Sequence, residues 1–314
     1  MSRIKNTPSA CACASADTPF RKRGINKYVK FLILFLFLFA SLLCYGEYVV
    51  LNRKKVYNYL MNDVSELARN FHGEVGIYIK DLRTGIVVSY DAEKLFPSAS
   101  LVKIPIMASV WQAVEDGNIN FGDKIKLTRG LKTSGAGKLK RARRGTKYSV
   151  RELTVRMITE SDNTATNMLT ATLGRGYINW VFRNRFEFEV TNFSRNIMDL
   201  NASKSGIENY TNAREMGVFL EKIYRGRVVS RAASKDMLEI LTNQRIKDRI
   251  PRFLPKDLIV ANKTGLLKDI CHDAGIVFTP RGDFIVCVLT SDFRRYRYAK
   301  TFIGEIAYKT YRCY

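Results

Sequence analysis

Residues 31–46, FLILFLFLFASLLCYG, carry no charge, and YVVL extends the apolar stretch after Glu47. Such a run is long enough to cross a bilayer as a slightly tilted helix and too apolar for the surface of a soluble domain. Arg21, Lys22, Arg23, Lys27 and Lys30 precede it, whereas Glu47, Arg53, Lys54 and Lys55 follow. The excess of positive charge on the first flank favours an inside N-terminus and an exported remainder. The run also fits a signal peptide cleaved after Gly46, since Cys44 and Gly46 are small residues at the required offsets. We expect the anchor, because both the run and the tail before it are long for a signal peptide. Leu43 makes Cys44 a poor lipoprotein site. Residues 1–30 then form a basic cytoplasmic tail, 31–51 a transmembrane signal-anchor, and 52–314 an extracytoplasmic domain.

That domain belongs to a chain of 314 residues, 46% hydrophobic, which can bury a large core as one domain or two subdomains. Of the six cysteines, Cys271, Cys287 and Cys313 fall in the exported part, an odd number that permits one disulfide and demands none. Cys11 and Cys13 lack a second cluster, so an unstructured tail explains them better than a metal site does. The formal charge of +23 resides partly in KLKRARRGTK (138–147) and RRYR (294–297). Such runs concentrate polyanions, here acidic wall polymers, lipid head groups or stray nucleic acid, although a solvated basic face is the simpler reading. No motif that reads nucleic acid accompanies them, and no nucleic-acid partner is expected.

Val56, Leu60, Val64, Leu67 and Phe71 recur at helical spacing over 54–71. EVGIYIKDLRTGIVVSYDA (74–92) reads as a hairpin turning at residues 81–85. A helical middle should run from Ser100 to about Gln244, with Ser149 and Glu152 as a capping box and a helix between Asn212 and Gly226. LIVANKTG, AGIVFT and DFIVCVLT return to strands, PRGD turns between the last two, and a helix closes the chain from about Arg295 to Thr310. These blocks predict an α+β fold: one antiparallel sheet of N- and C-terminal strands flanked by the first and last helices, plus an all-helical lobe. A cleft should separate the two lobes.

Lys103 stands out in FPSASLVKIPIM (96–107), because a buried ammonium needs compensation. Ser100 lies three residues earlier, one helical turn away. Ser-x-x-Lys is weak alone, as Ser2 with Lys5 shows, and Arg83-Thr84-Gly85 shows how readily a near-match to Lys-Thr-Gly arises. Here, however, Ser100-x-x-Lys103, Ser161-Asp162-Asn163 and Lys263-Thr264-Gly265 occur in one order at suitable intervals. The set resembles the penicillin-recognising serine acyltransferases, most of all the class A β-lactamase family, over about residues 54–312.

The residue types already suggest the chemistry. A serine hydroxyl needs a neighbouring base, and nothing ties His72 or His272 to Ser100 as a triad would. A lysine serves if burial and a second cation, Lys263, lower its pKa. The resemblance implies further roles: Lys103 as base held by Asn163, Ser161 as proton donor to the leaving nitrogen, and Lys263 and Thr264 as a carboxylate site. It also implies Gly265 as clearance for the substrate backbone, the backbone N–H groups of Ser100 and Leu266 as an oxyanion hole, and Asp162 as a structural residue. It implies neither metal nor cofactor. An arginine that many members use for the substrate carboxylate cannot be placed from the sequence.

One departure decides the expected function. Class A enzymes activate the deacylating water with a glutamate in E-x-x-L-N, and the matching stretch here is NIMDLNAS (196–203). Leu200 and Asn201 match, but Ile197 stands at the glutamate position. Asp199, two residues on and one methylene shorter, is the candidate substitute. The first expectation is a serine hydrolase acylated by β-lactams and turning them over, slowly where Asp199 fails to reach. The alternatives are a membrane-anchored D,D-peptidase acting on peptidoglycan stem peptides of the D-Ala-D-Ala type, with its basic face toward an anionic wall, and a non-catalytic sensor.

Overall fold

The computed structural model describes residues 26–314, so Cys11, Cys13 and most of the basic tail lie outside the described residues. The chain divides into two compact units, one ending at Val49 and one spanning Val50–Tyr314. Helix α1, Lys27–Arg69, supplies the apolar stretch to the first unit and its last turns to the second. Phe31, Phe35 and Leu42 are exposed, and by length and composition the helix suffices to cross a membrane.

In the second unit, β1 (Glu74–Asp81) and β2 (Val87–Tyr90) form the expected hairpin, and β3 (Phe96–Pro97) leads to α2 (Lys103–Glu115). A ladder of β4 (Lys124–Lys126) and β5 (Lys147–Ser149) precedes α3 (Val150–Thr159), α4 (Asn163–Leu173), α5 (Arg175–Asn184) and α6 (Leu200–Lys204). After β6 (Tyr210–Thr211) come α7 (Ala213–Tyr224), α8 (Arg231–Thr242) and a 3₁₀ turn at Ile250–Phe253. Strands β7 (Val260–Leu267), β8 (Ile270–Val277) and β9 (Phe284–Ser291) lead into α9 (Tyr296–Tyr311).

The five main strands form one antiparallel sheet in the order β2-β1-β9-β8-β7. Strands from early and late in the chain therefore meet in one layer, as the sequence predicts. Burial on both faces explains the unbroken apolar run of β9. On one face Ile77, Ile79 and Val286 pack with Tyr57, Leu60 and Val64 of α1 and with Phe302 and Ile306 of α9. On the other, Tyr78 and Ile276 join a core reaching through Met216 of α7 to α2. Gly217 brings α7 onto the sheet, since a Cβ there would lie 2.2 Å from the Tyr78 ring.

The middle is not all helix. Short ladders β3-β6 and β4-β5 interrupt it, and residues 185–199 carry no regular element. Ser149 accepts from the Glu152 N–H, but Glu152 turns to Arg156, completing half of the expected capping box. Strand β8 also starts four residues before the expected AGIVFT, at Ile270. His272 and Asp273, which suggest a loop by polarity, are wholly buried in its interior. Cys271, Cys287 and Cys313 are free thiols.

Candidate active site

A cavity of about 750 Å³ lies between the exposed side of β7 and the helical lobe. Strand β7 ends the sheet order, so one row of its backbone groups has no neighbouring strand. Ser100, Ser161, Asn163, Thr264 and Leu266 all line this cavity. The three motif segments thus converge, although they come from a turn, a helix start and a strand.

Ser100 stands three residues before the first helical residue rather than on the helix. Leu101 N–H bonds Ser98 O at 2.9 Å and Ile104 N–H bonds Leu101 O at 3.0 Å, so the chain enters α2 through a tight turn. Pro105 in the first helical turn has no N–H to place, which suits that entry. Ala99 sits at φ +47, a costly conformation for a residue with a Cβ, directly before the nucleophile candidate. His272 braces this segment: Nδ1 accepts the Thr290 N–H at 3.1 Å, which leaves Nε2 to donate to Pro97 O at 2.9 Å. Burial pushes the His272 pKa down to about 4, so the ring stays neutral and keeps both bonds.

Helix α2 is buried along Lys103–Ala113, and Lys103 is fully enclosed. Its Nζ lies 2.7 Å from Ser161 O, 2.7 Å from Asn163 Oδ1 and 3.2 Å from Ser161 Oγ. Lys263 Nζ donates to Ser161 Oγ at 2.9 Å and to Thr264 O at 2.7 Å. One hydroxyl therefore links two buried amines, and Ser161 adopts φ +53 to place it there.

Burial lowers the Lys103 pKa to about 7, with Asp162 opposing. Lys263 falls well below the usual lysine value through burial first, then repulsion from Lys103 and Arg249, with Asp273 opposing. Burial is the leading cause at both lysines. A neutral Lys103 donates two hydrogen bonds and has a lone pair free for a proton.

The surrounding residues hold this geometry. Asp162 caps α4, accepting from Ala165 N–H and Leu139 N–H at 2.9 Å each. A Cβ on Gly137, at φ +95, would lie 2.2 Å from its carboxylate oxygen, so only glycine fits there. Asn163 Nδ2 donates to Ser134 O at 3.0 Å, fixing the amide so that Oδ1 faces Lys103. Gly265 does not line the cavity. A Cβ there would meet the Ala99 Cβ at 3.2 Å and His272 at 3.2 Å, so the glycine makes room for the turn beside Ser100 rather than for a ligand.

The loop 195–208 forms the opposite wall, closed by a bidentate pair between Arg195 and Glu208 at 2.8 and 2.9 Å. Ile197 is 7% exposed and lines the cavity, with Asn167 bonding both its N–H and its carbonyl. Asp199 is not among the lining residues. Its carboxylate accepts from Ala202 N–H at 3.1 Å as the N-cap of α6. Of the carboxylates that do line the cavity, Glu208 pairs with Arg195, and Asp248 pairs through Oδ2 with Lys300 at 2.6 Å while its Oδ1 makes no hydrogen bond.

Arg249 is the functional candidate that sequence reasoning missed. It is 2% exposed, lines the cavity, and donates from Nε to Cys271 Sγ at 3.1 Å. Its Nη1 lies 3.1 Å from Asp248 Oδ1 but is misaligned and makes no hydrogen bond, which leaves a buried donor at the cavity. His72 is exposed and lies beside Tyr298 of α9 instead, outside the cavity lining.

The family model described as "Beta-lactamase enzyme family" matches residues 59–314. The chain belongs to the beta-lactamase enzyme family. A beta-lactamase of Streptomyces fradiae is 29% identical over 238 residues, 72% of this chain and 76% of the relative. Among solved structures, PBP-A has a TM-score of 0.75 at 25% identity, covering 81% of this chain and 95% of that one. The beta-lactamase from Sphaerobacter thermophilus has the same TM-score and the same coverages at 28% identity. The expectation of a class A β-lactamase-like serine hydrolase, in both fold and family, is borne out.

Proposed function

We propose that Ser100 is a nucleophile acylated by β-lactams and that the acyl-enzyme is released slowly. Neutral Lys103 takes the Ser100 hydroxyl proton as the oxygen attacks the lactam carbonyl, and the backbone N–H groups of Ser100 and Leu266 receive the developing oxyanion. The proton then passes through Ser161, which contacts both lysines, to the departing nitrogen. Thr264 and Arg249, which line the cavity, supply the donors for the substrate carboxylate, and Lys263 stands behind them bonded to Ser161 and Thr264.

The observation that carries slow release is Ile197, an apolar side chain where a water-activating carboxylate would stand, with Asp199 committed to its cap. Acylation needs only the lysine side of the cavity, whereas hydrolysis needs a base on the loop side. A D,D-peptidase would acylate by the same route, and PBP-A, one of the structural neighbours, was also solved as a mutant in an acyl-enzyme complex with penicillin G. The apolar start of α1 supports a membrane anchor with the catalytic unit outside, and equally a signal sequence.

Labelling with a fluorescent penicillin tests this reading. The protein is expected to take up label at Ser100 and hold it through gel separation, with Ser100→Ala unlabelled. Label on Ser100→Ala would overturn the nucleophile assignment, and complete loss of label within seconds would overturn slow release. Release of D-alanine from a pentapeptide would identify the peptidase.

A further inference from the structure

Residues 124–147 contain ten lysines and arginines and no aspartate or glutamate. Among the described residues, none of the ten lies within 4.0 Å of a carboxylate, although Arg151, Arg156 and Arg214 elsewhere all find acidic partners. Arg141, Arg143 and Arg144 are exposed on the turn before β5. Lys126 and Lys147 face each other as direct cross-strand partners in the β4-β5 ladder. Like charges in that position destabilise a strand pair, so the fold tolerates a repulsion that an anion would relieve.

The same segment forms part of the cavity rim. Gly135 and Ala136 line the cavity, and Lys140 Nζ bonds Gly135 O. The basic strip is thus tied to the edge of the site at which acylation is proposed.

We propose that this strip is a docking surface for peptidoglycan, whose repeated stem carboxylates lie along it while one peptide stem enters the cavity. The proposal deepens the acyl-transfer reading and rests on it for the stem that enters. A small β-lactam spans only the cavity and needs no such surface. A polymer gains from it in two ways, because the arginine forks grip carboxylate or phosphate bidentately and the release of counterions from the chain favours binding.

The test uses the full-length chain in detergent and insoluble peptidoglycan sacculi that retain their anionic polymers. Pelleting with sacculi is expected to weaken at least about tenfold between roughly 50 and 200 mM salt, and similarly in the triple variant Arg141→Glu, Arg143→Glu, Arg144→Glu at low salt. Penicillin acylation of that variant should stay within about twofold of the parent, which also shows that it folds. Sacculi with amidated stem carboxylates should bind less, whereas sacculi stripped of phosphate polymers should bind as before. Ser100→Ala should still pellet while taking no label, so failure of the acylation reading is seen separately. A second variant, Lys126→Gln with Lys147→Gln, should melt at a higher temperature in low salt and pellet less. Undiminished pelleting of the triple variant, salt-insensitive binding, binding that survives amidation of the stem carboxylates, binding lost on stripping the phosphate polymers alone, or displacement by DNA or anionic vesicles at lower charge concentration than sacculi would each overturn the proposal.

Discussion

Replacing Ile197 with glutamate should convert a slow-releasing acyl-enzyme into a hydrolase. Asn167 holds the backbone of residue 197 from both sides, at 3.2 Å to its N–H and 3.4 Å to its carbonyl, so the side chain keeps its direction whatever it is. A carboxylate there enters the cavity that Ser100 lines. A positioned general base contributes about 10²–10⁴ in rate, a lowering of the deacylation barrier by roughly 3–5 kcal/mol. The exchange also removes an apolar side chain that is 7% exposed, and we expect a loss of about 2–4 kcal/mol in stability. The assay follows decay of the penicillin acyl-enzyme by intact mass, with Asp199→Asn as control. That control retains a side-chain oxygen for the Ala202 N–H and should decay like the parent. If Ile197→Glu folds, acylates normally and decays no faster, the missing base does not limit release. If Asp199→Asn prolongs the acyl-enzyme, the capping carboxylate is the working base and the reasoning fails.

Two other residues give independent checks. Arg249→Ala should weaken half-saturation by a carboxylate-bearing penicillin about 10–100-fold, as loss of a charged hydrogen bond predicts, with little change for the same compound methyl-esterified; an equal loss for both would assign Arg249 to the fold alone. His272 has its pKa lowered from 6.5 to about 4, so the unfolded chain binds a proton that the folded one refuses between those values. Stability from this site is therefore complete above about pH 6.5 and falls as pH drops toward 4, by roughly 3 kcal/mol. Urea melts across that range should show the loss, and His272→Gln should flatten it.

Motif order made the nucleophile side of the cavity legible in the sequence. Lys103 contacts Ser161 and Asn163 because a buried amine has few other ways to satisfy its donors, and an apolar stretch around a lone lysine signals that need. The sheet was legible too, because β1 and β9 alternate or saturate with apolar residues in ways that only pairing explains. Arg249 was not: it is one of 52 basic residues, it precedes a short 3₁₀ turn that has no motif, and only burial sets it apart. Asp199 shows the limit of reading by nearness in sequence, which says nothing about direction: an aspartate three residues before an available N–H caps a helix readily, as it does here. Gly265 misled because a glycine that admits a ligand and one that admits a neighbouring turn look alike until the neighbour is seen.

The central claim is that burial keeps Lys103 ready to accept a proton from Ser100. The second-order rate constant for penicillin acylation, measured against pH, tests it directly. The account predicts a rate that rises about tenfold per unit at low pH, bends near 7 where Lys103 titrates, and is level above roughly pH 8. A rate independent of pH from about 5 to 8, or one still rising tenfold per unit beyond 9, would show that a neutral Lys103 is not the base.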